Sequence, residues 1–325
     1  MAPHTVYLPR SYLLVVLKCD PSAAGMKEQR RLAVASCGNA GLAAATIAAA
    51  AEWPIDVCIP DTAAAGVVKQ LQSLGKHVNI VSCARDTATV QTPFGPVAAD
   101  TEADPTVAVF KNLVKDHDSI PFSVQGSECG MAVEGMHTLA WEILQQSKDL
   151  GLPLEFENLF VQVGGGALGA GLIQGMERAA RGDLEEVTPG TTLAKVPSLV
   201  CVQAEGNAPL NRAFEKMQAQ GVPAVKAAKQ RDEYMFAWAD PKSVAFGILD
   251  DETYDWVELS RGMQDSNGGT LVVNDKTIEE ANEYIKTKHQ VNACHTGSVG
   301  LAGLMTKPNA TDKPSIVVFS GVDRS

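Results

Sequence analysis

The sequence predicts an α/β protein built on parallel sheets whose strands are joined by crossover helices. Three observations carry this. Short β-branched or apolar runs alternate with helical stretches along most of the 325 residues, which is the pattern of βαβ units. Glycine is abundant, at 28 residues, while aromatics make up only 6% of the chain. That balance suits close packing of helices on sheets better than an all-β module. Two strand-to-helix turns are rich in glycine and small residues: Ser36-Cys37-Gly38-Asn39-Ala40-Gly41, and the run from Gly164 to Gly171.

In order along the chain, residues 32–36 read as a strand, followed by a helix over 40–51. A strand at 56–59 and a helix at 63–74 come next, then a strand at 77–82. Asp104-Pro105 is a cap and first-turn pair that opens a helix to about residue 116. A long helix is expected over 134–147. Residues 160–163 form a strand that runs directly into the glycine run, and a helix over 168–181 follows it. A strand at 198–203, a helix at 209–218, a short strand at 271–273 and a charged helix at 277–288 continue the alternation. A small-residue helix at 298–305 and a strand at 315–319 close it. Residues 91–104 and 226–244 read as irregular excursions. Turn signals in Asp149-Leu150-Gly151-Leu152-Pro153 place a division near 140–155. The expected organisation is an N-terminal segment 1–31, a smaller domain 32–148 and a larger domain 149–325.

Charge and cysteine usage exclude several classes. The formal net charge is −11, so the chain repels a phosphate backbone and general nucleic-acid binding is not expected. The seven cysteines are scattered and odd in number, with no Cys-x-x-Cys. They read as free thiols of a reducing compartment. No spacing of His, Cys and carboxylates suits zinc, so no metal site is expected. The alanine-rich stretch 41–51 is too short to span a bilayer. The apolar run 12–17 is shorter than a signal-peptide core and reads as a strand. A cytoplasmic protein with no membrane partner is the expectation.

The glycine run carries the main chemical signal. Glycines let a backbone approach a ligand closely, and the helix that follows aims its free N–H groups and positive dipole end at that ligand. This is a phosphate cradle. It is not a Walker loop, because no Gly-Lys-Ser/Thr follows, and no acidic residue stands where a dinucleotide fingerprint needs one. A tight turn without ligand would share the same pattern. The Ser36–Gly41 turn places Ser36 and Asn39 at a helix N-terminus, where they suit an anionic group such as a carboxylate. An ordinary N-cap at Asn39 reads the same way.

Together the two loops resemble the tryptophan-synthase-β-like superfamily, the fold type II pyridoxal-phosphate enzymes. The resemblance covers about residue 32 to the end. It implies two open parallel-sheet, three-layer domains and pyridoxal 5'-phosphate as cofactor. It implies that Gly164, Gly165, Gly166, Ala167 and Leu168 hold the cofactor phosphate. Asn39 would bond the ring hydroxyl, and Ser36, Cys37, Gly38 and Ala40 would hold the substrate carboxylate. Phe319-Ser320-Gly321 matches the family's closing strand, whose hydroxyl, here Ser320, faces the pyridine nitrogen. Residues Val133–Glu142 and His295–Gly300 resemble further family segments, and Gln203–Leu210 is particularly similar to threonine synthases. The implied chemistry is β- or γ-elimination or replacement on a small amino acid, with O-phosphohomoserine as the threonine-synthase substrate. Threonine or serine dehydratase and diaminopropionate ammonia-lyase are the neighbouring readings. Dimers are common in that family, so a homodimer is a further expectation.

The same resemblance requires a lysine that bonds the cofactor aldehyde and then moves the α-proton. Its Ser-x-Lys-x-Arg-like motif does not occur in this sequence. Lys18 and Lys27 are the alternatives. Lys27 stands too close to Asn39 to leave room for an intervening helix, and Lys18 reads as the end of a strand. A third reading takes residues 23–31 as the end of the family's helix, with the lysine segment absent. Under it the chain is a truncated product or a non-catalytic, cofactor-binding relative.

Overall fold

The computed structural model describes residues 30–36, 38–85, 87–99, 104–123, 129–185, 188–307 and 314–322, leaving aside the side chains of Asn39, Met131 and Ala132. Lys18, Lys27 and Cys37 lie outside the described residues. The chain divides after Gly135 into two compact units.

In the first unit, β1 (Leu32–Ala35) leads through the Ser36 turn into α1 (Asn39–Ala50). There follow β2 (Ile55–Pro60), α2 (Ala65–Ser73), β3 (Val78–Cys83), the hairpin β4 (Thr89–Thr92) and β5 (Gly95–Ala98), α3 (Pro105–Asp116), β6 (Ile120–Pro121) and α4 (Gly130–Glu134). The main sheet is parallel, in the order β3-β2-β1-β6. Strand residues alternate between its faces. Leu32, Val34, Ile55, Val57 and Ile59 pack with Leu42, Ala45, Ala48, Trp53 and Leu71 on one face. Ala33, Cys58, Val81 and Cys83 pack with Val109, Phe110 and Leu113 of α3 on the other. Helices on both faces make three layers. Each fully buried large apolar side chain contributes about 1.5–3 kcal/mol to that arrangement. Buried Asp56 is balanced by a bidentate Arg31 at 2.7 Å on each oxygen and by Asn79 Nδ2 at 2.8 Å.

The second unit opens with α5 (His137–Asp149), β7 (Asn158–Gln162), α6 (Ala167–Ala180), β8 (Ser198–Ala204) and α7 (Pro209–Gln220). Short helical turns α8 (Ala224–Ala227) and α9 (Arg231–Tyr234) precede α10 (Trp256–Ser266), β9 (Gly269–Val273), α11 (Asp275–His289), α12 (His295–Thr306) and β10 (Ile316–Val317). The sheet is again parallel, in the order β10-β7-β8-β9. Phe160, Val200, Val202 and Val273 pack beneath α11 and α12 through Ile278, Ala281, Val299 and Ala302. The opposite face carries α6 and α10, which come so close that a Cβ on Gly262 would stand 2.9 Å from Ile173 and 3.4 Å from Leu199.

Four local features differ from the sequence reading. The helix expected over 134–147 is α5, which begins at His137 and runs to Asp149, and a separate short helix, α4, precedes it. α5 packs on α6, where Gly175 leaves no room for a Cβ: Ala140 Cβ would be 2.6 Å away. The excursion expected over 91–104 holds most of the β4–β5 hairpin, which turns at Pro93 and Phe94 and enters β5 at Gly95 with φ +100°. Pro96 sits in its short edge strand, and proline hid the alternation of Val90 and Val97 toward the core. The small-residue helix begins at His295 rather than 298, capped by Cys294. The stretch 226–244, expected to be irregular, contains helical turns, and α10 was not foreseen.

Candidate functional site

The site is built around the end of β7. Its strand pairs β10 on one side and β8 on the other, so the chain leaving Gln162 emerges at the middle of the sheet's C-terminal edge, where open parallel sheets bind ligands. Val163, Gly164 and Gly165 carry it over to Gly166, which caps α6 in the left-handed region at φ +106° and ψ −15°. The first helical bond of α6 is Ala170 N–H to Gly166 O at 3.0 Å. The amides of Ala167, Leu168 and Gly169 therefore have no acceptor within the helix.

The glycines are required by what stands behind them. A Cβ on Gly164 would lie 2.4 Å from Asp250 Oδ2 and 2.8 Å from Ile248 Cα. The loop 245–255 that presses there is held in place by residues of the Gln203–Leu210 segment. Asn207 Nδ2 donates to Ile248 O at 3.1 Å and to Asp250 O at 2.8 Å, while Gln203 Nε2 donates to Val163 O at 3.2 Å. Asp255 N–H donates to Gly165 O at 2.9 Å. The Gln203–Leu210 segment thus fixes the loop against the glycine turn.

A cavity of about 180 Å³ opens on this turn. Gly164, Gly165, Gly166 and Leu168 form one wall, and Gln162, Gly247, Ile248, Thr296 and Ser320 complete it. Two helix N-termini reach it, α6 at Leu168 and α12 at Thr296. Their dipoles favour an anion. Among the described residues, no carboxylate stands in the walls. Thr296 Oγ1 accepts from Gly247 N at 3.0 Å, which leaves its own proton for a ligand oxygen. Gln162, 4% exposed, donates from Nε2 to Ser320 Oγ, and its Oε1 has no partner among the described residues. Bare backbone amides, hydroxyl donors and an orphaned buried amide fit the phosphate and neutral ring of pyridoxal phosphate.

Of the residues expected from sequence, Gly164, Gly165, Gly166, Leu168 and Ser320 meet in this cavity. Ala167 is the first residue of α6, 7% exposed, and is not one of its walls. Ser320 is placed by main-chain bonds on either side: Val318 N–H to Phe160 O and Cys294 N–H to Gly321 O, both 3.1 Å. In the first unit, Ser36 Oγ accepts from Gly41 N at 3.1 Å and Gly38 N at 3.3 Å, so its hydroxyl serves the start of α1. A Cβ on Gly41 would collide with Ser36 O at 2.1 Å. Gly38, Asn39 and Ala40 form the entry to α1. Gln162, Gly247, Ile248 and Thr296 were not expected. Thr296 had a signal, a hydroxyl at the start of a small-residue helix; Gln162 had none, since it reads as one polar residue in an apolar strand. Among the described residues, no lysine lines the cavity, no cluster is able to hold a metal ion, and no helix is long and apolar enough to cross a membrane.

Comparison with known proteins gives the same direction. L-serine dehydratase of Saccharomyces cerevisiae (strain AWRI1631) is 30% identical over 183 residues, 56% of this chain. The match spans 46% of that enzyme, just under half its length. A threonine deaminase from T.th. superposes with a TM-score of 0.64 at 17% identity, covering 99% of this chain and 83% of that one. Maize serine racemase gives 0.63 at 16%, covering 99% and 80%. Diaminopropionate ammonia lyase from Escherichia coli gives 0.64 at 14%, covering 98% and 76%. These likenesses establish the fold. The family described as pyridoxal-phosphate dependent enzyme matches residues 10–321. With a match of that extent on a two-sheet fold of type II, the chain belongs to the pyridoxal-phosphate dependent enzymes, and its cofactor is pyridoxal 5'-phosphate.

Proposed function

We propose that this protein catalyses β-elimination on a small amino acid bearing a hydroxyl or amino group on its side chain, in the manner of a serine or threonine dehydratase. When bound, pyridoxal phosphate supplies an electron sink for negative charge at the substrate α-carbon. The amides of Gly164–Leu168, the α12 N-terminus and the Thr296 hydroxyl would bind and orient its phosphate. By the family resemblance, Asn39 would orient the ring, and Ser36, Cys37, Gly38 and Ala40 would hold the substrate carboxylate. Ser320 would face the ring nitrogen with a neutral hydroxyl, so that the ring would withdraw fewer electrons than one protonated opposite a carboxylate, which favours elimination over transamination. The neutral Ser320 hydroxyl in the wall of the phosphate cavity is the observation that carries this reading. The partial match to a serine dehydratase supports its direction.

Threonine synthesis from O-phosphohomoserine is the second reading. It is favoured by the Gln203–Leu210 segment, whose Gln203 and Asn207 hold the loop over the glycine turn. Proton removal at the α-carbon falls to a lysine, with Lys18 and Lys27 as the candidates. The test is direct. Purified protein loaded with pyridoxal phosphate should show a visible absorbance band that borohydride abolishes, and peptide mapping should then find one modified lysine. Serine, threonine and diaminopropionate should give keto acid, whereas threonine appearing from O-phosphohomoserine selects the second reading. Reversible cofactor binding with no modified lysine and no turnover defeats both and identifies a non-catalytic binding protein.

A further inference from the structure

We propose that Gln162 is a positioning residue that sets the direction of the Ser320 hydroxyl proton, and through it keeps the cofactor's ring nitrogen unprotonated. This rests on the reading that Ser320 faces that nitrogen. Gln162 ends β7, in a strand whose residues Leu159, Phe160 and Val161 are fully buried. A primary amide in such a place is unfavourable unless bonded. Among the described residues its side chain bonds only Ser320, from Nε2 to Oγ, across a long stretch of sequence, and both side chains line the same cavity as the glycine turn.

The orientation of the amide, with Nε2 toward Ser320, sets the polarity. A hydroxyl has one proton and two lone pairs, whereas the amide nitrogen of glutamine only donates. With a lone pair of Ser320 taken by Gln162 Nε2, the serine proton cannot go to Gln162 and is left to point into the cavity. The hydroxyl then presents a donor, and a donor stabilises an unprotonated pyridine nitrogen and opposes a protonated one. Donation from Gln162 also polarises the hydroxyl and strengthens the bond it gives. Gln162 Oε1, buried and unpartnered among the described residues, stands 3.3 Å from where a Cβ on Gly300 would be. The missing side chain at 300 leaves the amide room on that side. A reversed amide would give the opposite polarity, with Ser320 donating to Gln162 and a lone pair facing the ring.

The experiment is nitrogen NMR of the protein loaded with pyridoxal phosphate labelled with 15N in the ring, followed from pH 9 to pH 5. Wild type should hold an unprotonated nitrogen across neutral pH. Gln162→Met should raise the nitrogen's apparent pKa by about one unit, the tenfold change that goes with losing one hydrogen bond of ordinary strength. Ser320→Ala should raise it in the same direction, and Gln162→Met should add nothing further in that background, because the effect runs through Ser320. Gln162→Asn, which keeps an amide but is one methylene too short, serves if Gln162→Met does not fold. A protonated nitrogen in wild type, an unchanged pKa in the Gln162 variants, or a full Gln162 effect in the Ser320→Ala background overturns the proposal. Failure of wild type to bind the cofactor is a separate result, which defeats the cofactor reading itself.

Discussion

Replacing Gly166 by alanine measures how strictly the backbone demands glycine at the cofactor turn. Gly166 sits at φ +106°, where a side chain costs about 1–2 kcal/mol in backbone strain. The added Cβ would also lie 2.9 Å from Leu259 Cδ1, 3.1 Å from Asp255 Cβ and 3.2 Å from Thr253 Cγ2. Leu259 Cδ1 ends a flexible side chain and can swing aside. Asp255 cannot retreat freely, because its N–H is bonded to Gly165 O at 2.9 Å. Crowding of this kind adds about 1–2 kcal/mol. The sum is about 2–4 kcal/mol, a large part of the roughly 5–15 kcal/mol that holds a typical domain folded. For a unit of this size that corresponds to a fall in Tm of roughly 4–16 °C. Thermal melts followed by circular dichroism read the stability, and a fluorescence titration with pyridoxal phosphate reads the cradle. Affinity should fall as well, since the Gly165–Leu168 amides move with the cap. A Gly166→Ala protein that melts and binds cofactor like wild type would refute the argument from φ and close approach.

Gly66 gives the opposite sign. It lies in α2 with open space where its Cβ would be, so Gly66→Ala should raise stability by about 0.5–1 kcal/mol in the same melts. Arg31→Met should destabilise the first unit by about 3 kcal/mol in urea unfolding, because it leaves the buried Asp56 carboxylate held by Asn79 alone. Arg31→Met with Asp56→Leu should recover most of that loss, and a double variant worse than the single would contradict it. Glu258 supplies a pH test. Burial raises its pKa, but hydrogen bonds from Arg261 and Gln174 outweigh this and hold it below 4.5. A carboxyl lowered on folding gives stability that is present above its unfolded pKa and is lost as pH falls through the folded value. Wild type should therefore weaken below about pH 4.5, and Glu258→Gln should show a shallower acid limb in Tm against pH.

Much of this protein was legible in its sequence because the signals are local. The glycine run after an apolar strand specifies a bare turn at a helix start wherever it occurs. The alternation of strands and helices specifies parallel sheets, because crossover helices must cover both faces. Ser36 and Gly41 announce the entry to α1, where the structure shows the hydroxyl of one bonded to the amide of the other. What the sequence left open depends on contacts between distant segments. Nothing in residues 158–162 indicates that Gln162 meets Ser320, 158 positions away. Only the parallel pairing of β10 with β7 brings them together. Gly164 and Gly166 read as ligand glycines, yet the atoms that forbid a side chain there belong to Ile248, Asp250, Asp255 and Leu259. The loop carrying Ile248 and Asp250 is set by Asn207, and Gln203 holds the strand end beside it. The sequence by itself determined the fold class, through the local alternation of strands and helices, and pointed to the cofactor through the resemblance that its two loops carry. The walls and polarity of the cavity were decided by tertiary structure, because they are made of hydrogen bonds and close approaches between segments that only the folded sheet makes neighbours.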